Sequence, residues 1–174
     1  MNKAVIFFSV LCYLSLLTAC SNEADKQKMQ APSASADSVN FLKGLDVEPA
    51  IKATDSVQLL YYKDPYGDPE RYTRFFTVLS TADTSLINPV LHNLDRIFFK
   101  QDKVRDCRSE GKMYLFNRQN EDPLQTIYFS TRCDSCCYLY YIKNGAFYYF
   151  SLDNNTKQVL SANKAKSKEP VVTK

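Results

Sequence analysis

The sequence predicts an α+β domain: an antiparallel β-sheet of about five to six strands with one amphipathic helix packed on one face, stapled by disulfides. Three observations carry this prediction. Residues 124–152 read as three aromatic-rich strands joined by short turns, apolar residues between 86 and 98 recur at helical spacing, and four cysteines fall close together in the resulting topology. The folded domain is expected to span residues 50–160.

The clearest local signal is Asn144-Gly145, which lies between two apolar runs. Both central residues of a type I′ hairpin turn need positive φ, and Asn and Gly tolerate that conformation best. The turn fixes the register of the hairpin, so that Tyr141 faces Tyr148 across the two strands.

The connection before this hairpin decides how the preceding strand pairs. If Asp134-Ser135 is also a two-residue turn, Phe129 faces Tyr140, whereas another loop would shift the strand by one residue and exchange its faces. With the two-residue turn, alternation predicts a core face made of Ile127, Phe129, Tyr138, Tyr140, Ile142, Phe147 and Tyr149. The opposite face is then a possible binding surface, formed by Tyr128, Tyr141, Tyr148 and Phe150, unless the segment 41–51 covers it.

The rest of the domain supplies one helix and three more strands. Apolar residues recur every three or four positions up to Phe98, and Asn88-Pro89 suits a helix start, so the regular helix is predicted at 89–99. The remaining strands are predicted at 56–63, 72–80 and 112–118.

The first 19 residues have the pattern of a targeting segment. Lys3 precedes an apolar run that is too short to span a membrane and ends in Leu17-Thr18-Ala19-Cys20. This pattern resembles the lipobox of bacterial lipoproteins. The resemblance implies cleavage before Cys20, acylation of that cysteine and, with Ser21 next, attachment to the outer membrane on its periplasmic side or at the cell surface.

The segments around the domain are polar. Residues 20–49 have the composition of a flexible tether, and residues 161–174 are expected to be a disordered basic tail. Removal of residues 1–19 takes away one lysine, which leaves 21 basic and 19 acidic residues. This balance and the exported location argue against a nucleic-acid partner.

Four cysteines remain in the domain, and the predicted strands bring Cys107 to the same end of the sheet as Cys133, Cys136 and Cys137. In an oxidising compartment, an even number of clustered cysteines indicates disulfides. The preferred pairing is Cys133–Cys136 with Cys107–Cys137, and the alternative is Cys107–Cys136 with Cys133–Cys137. The spacing does not match a zinc ribbon, and the CxxC motif joins two strands instead of opening a helix as redox motifs do.

The sequence shows no catalytic signature, and neither a metal site nor a cofactor is expected. The lone histidine, His92, has no neighbouring nucleophile or metal ligand in the pattern. The leading hypothesis is therefore a non-catalytic binding or structural domain that is tied to a membrane through Cys20 and contacts an envelope protein. The alternatives are a thiol-redox enzyme that uses Cys133 and Cys136, and an inhibitor or accessory subunit that docks on an envelope partner.

Overall fold

The computed structural model describes residues 42–132 and 136–171. Its α+β fold is built on one antiparallel sheet in the strand order β2-β1-β4-β5-β6-β7-β3. In chain order, the elements are α1 (Gly44–Val47), a 3₁₀ helix (Pro49–Ala53), β1 (Ser56–Tyr62), β2 (Phe76–Thr81), α2 (Thr84–Leu94), β3 (Phe99–Gln101), β4 (Gly111–Phe116), β5 (Gln125–Ser130), β6 (Tyr138–Lys143), β7 (Ala146–Ser151) and α3 (Asn154–Lys164).

The sheet has seven strands instead of the five to six that the sequence predicted. The additional strand, β3, is only three residues long, and it pairs with β7 at the sheet edge. A segment this short shows no alternation of polar and apolar side chains, and its strand conformation depends on pairing with the neighbouring strand.

Two helices, α2 and α3, pack on the same face of the sheet, where the sequence predicted one. Leu86, Val90 and Leu94 of α2 join Leu160 of α3 in a core with the inward side chains of the strands. The buried side of α3 cannot be recognised in the sequence, because Thr156 and other polar residues occupy most of the inward positions of the helix. The helix therefore lacks the apolar stripe by which α2 is recognised.

The helix α2 begins five residues earlier than predicted. Asp83 is its N-cap, and its Oδ1 accepts a hydrogen bond from the Ser85 N–H at 2.8 Å. Pro89 lies inside the helix, so the prediction that Asn88-Pro89 opens it was wrong. Proline is tolerated near a helix start, and here the aspartate one turn earlier provides the stronger capping signal.

The last hairpin, β6 with β7, has the predicted register, whereas the pairing of β5 with β6 does not. Asn144 and Gly145 both adopt positive φ, of 50° and 75°, and Tyr141 faces Tyr148. Tyr128, however, faces Tyr140, a shift of one residue from the pairing expected for Asp134-Ser135 as a two-residue turn.

This shift decides which side chains enter the core. Ile127 and Phe129 of β5 point to the helices, as predicted. In β6 and β7 the faces are the reverse of the prediction: the core contains Leu139, Tyr141, Ala146, Tyr148 and Phe150. The side chains expected in the core lie on the other face of the sheet, at Tyr138, Tyr140, Ile142, Phe147 and Tyr149.

The segments at both ends of the domain are more ordered than the sequence suggested. Leu45 and Ile51 are buried in the core, so the folded domain begins before the expected boundary at residue 50. At the other end, α3 continues to Lys164, and Lys168 forms a β-bridge with Val78. The expected disordered tail from residue 161 is thus a helix end and an edge contact over much of its length.

Candidate functional site

The four aromatic residues predicted as a binding surface do not share one face. Tyr141, Tyr148 and Phe150 are buried under the helices, whereas Tyr128 is half-buried on the opposite face. The rings of Tyr141 and Tyr148 stack at a centroid distance of 5.1 Å and form part of the core. The predicted surface is therefore corrected: three of its members stabilise the fold, and one remains near solvent.

The N-terminal segment closes the core beside these rings. The Tyr141 hydroxyl donates a hydrogen bond to the Gly44 carbonyl at 3.0 Å. A Cβ atom at position 44 would lie 2.3 Å from the Phe150 ring, so glycine permits this close approach. The alternative in which the segment 41–51 covers this face is confirmed for the part of it that the structure describes.

The sheet face opposite the helices is the open face, and a disulfide-bonded loop covers one end of it. Tyr138, Tyr140 and Tyr149 are buried there beneath residues 102–109. The Tyr138 hydroxyl donates to the Cys107 carbonyl at 2.5 Å, and the Arg105 N–H donates to the Tyr149 hydroxyl at 2.9 Å. Burial raises the pKa of Tyr140 to about 12, so its hydroxyl stays protonated at neutral pH.

A second loop, residues 63–75, covers the neighbouring part of the open face. Tyr72 packs edge-on against Tyr62 at a centroid distance of 5.5 Å. Arg108 connects the two loops, because its guanidinium lies 5.3 Å from the Tyr72 ring centroid and donates to the Gly67 carbonyl at 2.5 Å. The two loops form one cover held by hydrogen bonds and cation–π contacts.

The remainder of the open face keeps an aromatic and apolar surface that we call the open-face patch. The patch is continuous with the covered tyrosines, because the rings of Tyr128 and Tyr140 stack with their centroids 4.8 Å apart and an interplanar angle of 12°. The Lys112 ammonium lies 4.9 Å from the Tyr114 ring centroid. The patch consists of half-buried Tyr114, Phe116, Tyr128 and Phe147 together with Ile142, which is 39% exposed.

Two cysteines, Cys107 and Cys136, lie on the open face of the sheet, packed against the cluster of Tyr138, Tyr140 and Tyr149. Cys107 is bonded to Cys136, with Cα atoms 5.8 Å apart, so the preferred Cys107–Cys137 pairing was wrong. Cys136 precedes β6 by two residues and packs on the open-face side, where the loop of Cys107 lies. Cys137 is itself in a disulfide, and Cys133 lies outside the described residues.

The lone histidine and the acidic residues of the loop 63–75 are exposed. His92 is exposed on α2, and the Asp68 carboxylate accepts the Glu70 N–H at 2.9 Å in a turn. Across residues 42–132 and 136–171, no three His, Cys, Asp or Glu side chains are placed to hold a metal ion. Cys20, the expected lipid attachment site, lies outside these ranges.

One polar cluster was not predicted, because its members are far apart in sequence. Glu110 accepts hydrogen bonds from the Thr131 N–H at 2.7 Å and the Tyr66 hydroxyl at 3.0 Å, so it joins the loop 63–75 to the end of β5. It borders a cavity of about 200 Å³ that is also lined by Phe129 and Lys164. Burial raises the pKa of the Glu110 carboxyl, but the Thr131 and Tyr66 hydrogen bonds outweigh burial and leave the pKa below its usual value.

This lowered pKa predicts a pH-dependent contribution to stability. A carboxyl whose pKa is lower in the folded state stabilises the fold above its unfolded pKa, and the stabilisation is lost as pH falls through the folded value. We therefore expect Glu110→Gln to lower the free energy of unfolding at pH 7 and to have a smaller effect at pH 3, measured by urea denaturation. Glu121→Gln, on the exposed turn between β4 and β5, is the control, and an equal pH dependence in both variants would contradict the assignment.

Comparisons with protein-family models, with curated proteins and with solved structures found no match. Among the helices that the structure describes, none is both long enough and apolar enough to cross a bilayer. The open face of the sheet and the sequence of the N-terminal segment are therefore the two features from which a function can be inferred.

Proposed function

We propose that this protein is a lipid-anchored lipoprotein of the bacterial outer membrane whose folded domain is a non-catalytic binding module. The lipobox-like sequence ending at Cys20 supports the anchor. The open-face patch supports the binding module, and it is proposed to contact an envelope protein.

The observation that carries the binding proposal is the difference between the two faces of one sheet. The helix-covered face is filled, with Tyr141 completely buried, whereas the open face leaves Ile142 and Tyr114 accessible to solvent. Aromatic side chains are enriched in protein interfaces and supply much of the binding energy at their centres. On a β-sheet they are already held in place, so binding costs little conformational entropy.

The sulfur chemistry favours a structural role over thiol-redox activity. The Cys136 sulfur is bonded to Cys107, 29 residues away, and therefore does not form the short-range CxxC disulfide of a redox pair. We propose that Cys133 is the partner of Cys137, which would give the second disulfide of the same pairing scheme. Thiol titration of the unfolded, unreduced protein tests this, because detection of a free Cys133 would exclude it.

Binding through the open-face patch can be tested by site-specific photocrosslinking in intact cells. A photoreactive phenylalanine analogue at Tyr114 or Ile142 is expected to crosslink one defined envelope protein, because both positions lie on the patch. The control is the same analogue at Phe75, which is 65% exposed but lies at the end of the loop 63–75, just before the edge strand β2.

The crosslink should also depend on the neighbouring side chains of the open-face patch. Replacing Phe147 with serine should abolish the crosslink from position 114 while the purified variant still unfolds cooperatively. A protein captured equally from positions 75 and 114, or a crosslink that survives the Phe147→Ser change, would contradict a specific interface at the patch.

The anchor is tested independently at Cys20. We expect the wild-type chain to incorporate labelled palmitate and to fractionate with the outer membrane, because acylation is the attachment that the sequence implies. Cys20→Ser should abolish both. Cys12→Ser is the matched control, since this cysteine lies in the segment that is expected to be removed. Label retained in Cys20→Ser would exclude the anchor.

A further inference from the structure

Exposed apolar side chains flank the point where the chain enters the folded domain. We call Ile97 and Phe99 the edge patch; their side chains are 55% and 59% exposed. Lys43 forms a β-bridge with Ile97, and the Gly44 N–H donates to the Arg96 carbonyl at 3.1 Å. These contacts fix the entering chain against the segment that leads into β3.

Phe99 begins the outermost strand of the sheet, and Ile97 lies in the segment that leads into it. Phe99 faces Tyr149 of β7 and so projects on the open-face side, and Ile97, two residues earlier, shares that side by alternation. Natural edge strands usually carry charged side chains or are covered, because an exposed apolar edge promotes association. Within the part of the chain that the structure describes, nothing covers these side chains, so their exposure points to an external contact.

We propose that the edge patch rests on the membrane surface and orients the domain on the bilayer. This inference depends on the proposed lipid anchor at Cys20, which precedes Leu42 by 22 residues. A random-coil chain of this length spans roughly 25 Å on average. The anchor would therefore hold the entry edge of the domain close to the bilayer at high effective concentration, so even a small apolar patch can bind.

The charges beside the edge patch suit a lipid headgroup region. Lys100 and Lys103 are both exposed, and in the described chain neither forms an ion pair. Lys43 is paired with Asp95 at 3.3 Å, but both groups are about half exposed, so this pair can exchange for headgroup contacts at little cost. Large apolar side chains flanked by lysines are typical of surfaces that insert shallowly at the headgroup boundary.

The absence of tryptophan from the chain allows a direct test. A single tryptophan introduced as Phe99→Trp reports on its own environment, and Phe75→Trp is the matched control, because Phe75 is similarly exposed but lies at the opposite edge of the sheet. The chain from Cys20 to Lys174 is coupled through the Cys20 thiol to a maleimide lipid in vesicles of phosphatidylethanolamine and phosphatidylglycerol. Emission wavelength and quenching by brominated lipid are then measured.

We expect the Phe99→Trp emission to shift to shorter wavelength on vesicles and to be quenched several-fold more strongly than that of Phe75→Trp. A further change, Ile97→Ser, should reverse the shift while the far-UV circular dichroism stays unchanged. Equal quenching at the two positions, or a Phe99→Trp spectrum unaffected by vesicles, would overturn the proposal. If the Phe99→Trp spectrum is unaffected by vesicles but changes with protein concentration, the edge patch is a contact with a second copy of the chain.

Because the lipid is attached chemically, this result is independent of acylation in the cell. Failure of palmitate labelling at Cys20 would exclude the proposed anchor and leave the vesicle measurement interpretable. A water-exposed tryptophan at position 99 would exclude the edge contact and leave the anchor standing.

Discussion

Tyr141→Ala is expected to lower the free energy of unfolding by about 3–5 kcal/mol, the usual cost of removing a large aromatic side chain from a core. Tyr141 has no solvent exposure, and its ring lies 5.1 Å from that of Tyr148 and 5.7 Å from that of Phe150. Its removal would leave a cavity beneath α1 and would leave the Gly44 carbonyl without the Tyr141 hydroxyl. Urea denaturation followed by circular dichroism measures the loss.

Tyr114→Ala is the matched control, because Tyr114 is also a mid-strand tyrosine but lies half-buried on the open face. We expect it to cost no more than about 1 kcal/mol. Tyr141→Phe separates the hydroxyl from the ring and should cost about 1 kcal/mol. If Tyr114→Ala proved as destabilising as Tyr141→Ala, the assignment of the two faces would be wrong.

These expected stabilities determine which variants can test binding. Substitutions at Tyr141 or Tyr148 would reduce partner binding by unfolding the domain, whatever surface the partner uses. Substitutions at Tyr114 or Ile142 change the accessible surface and leave the core intact. A loss of binding in a Tyr114 or Ile142 variant that is as stable as the wild-type protein is therefore the result that identifies an interface.

The hairpin of β6 and β7 could be predicted because its turn is determined locally. The positive φ values of Asn144 and Gly145 depend on those two residues alone, so the register of Tyr141 opposite Tyr148 follows from the sequence. The connection from β5 to β6 contains Cys136, whose disulfide partner is 29 residues earlier in the chain. The pairing of β5 with β6 is therefore accompanied by a contact between distant parts of the chain, which no local pattern reveals.

A shift of one residue was sufficient to change the candidate site. Alternation assigns every side chain of a strand once the register is known, so an error at one turn exchanges whole faces. The sequence correctly indicated an aromatic-rich antiparallel sheet with helical cover on one face, and it left open whether the second face is covered. It could not indicate that Tyr141 was on the covered side, because both faces of β6 and β7 are rich in aromatic residues.

Helix α3 was missed because buried polar groups attach it to the rest of the fold. The Thr156 hydroxyl donates to the Pro89 carbonyl at 2.9 Å, and the Asn93 side chain accepts the Asp153 N–H at 2.8 Å. Such contacts satisfy polar atoms that hydrophobic patterning treats as exposed. They connect α3 to α2 through specific hydrogen bonds, which become visible only in three dimensions.

Removal of the Cys107–Cys136 disulfide in the double variant Cys107→Ser, Cys136→Ser is expected to lower the free energy of unfolding by roughly 3–4 kcal/mol. The bond closes a sequence separation of 29 residues, so its loss increases the conformational entropy of the unfolded chain. Changing both cysteines together avoids a free thiol that could form a new pairing. Urea denaturation without reductant measures the change, and Cys20→Ser, outside the folded domain, should leave stability unaltered.

The same variant separates an effect on the unfolded chain from an effect on the loop over the open face. The Arg105 N–H is bonded to the Tyr149 hydroxyl, and the Cys107 carbonyl accepts from Tyr138, so two hydrogen bonds hold this loop without the disulfide. If these two hydrogen bonds are enough to hold the loop, amide hydrogen exchange at Arg105 will accelerate only in proportion to the loss of global stability. If exchange accelerates much more than that, the sulfur bridge also holds the cover closed over Tyr138 and Tyr149. A loss of stability below about 1 kcal/mol would contradict the structural role of the bridge.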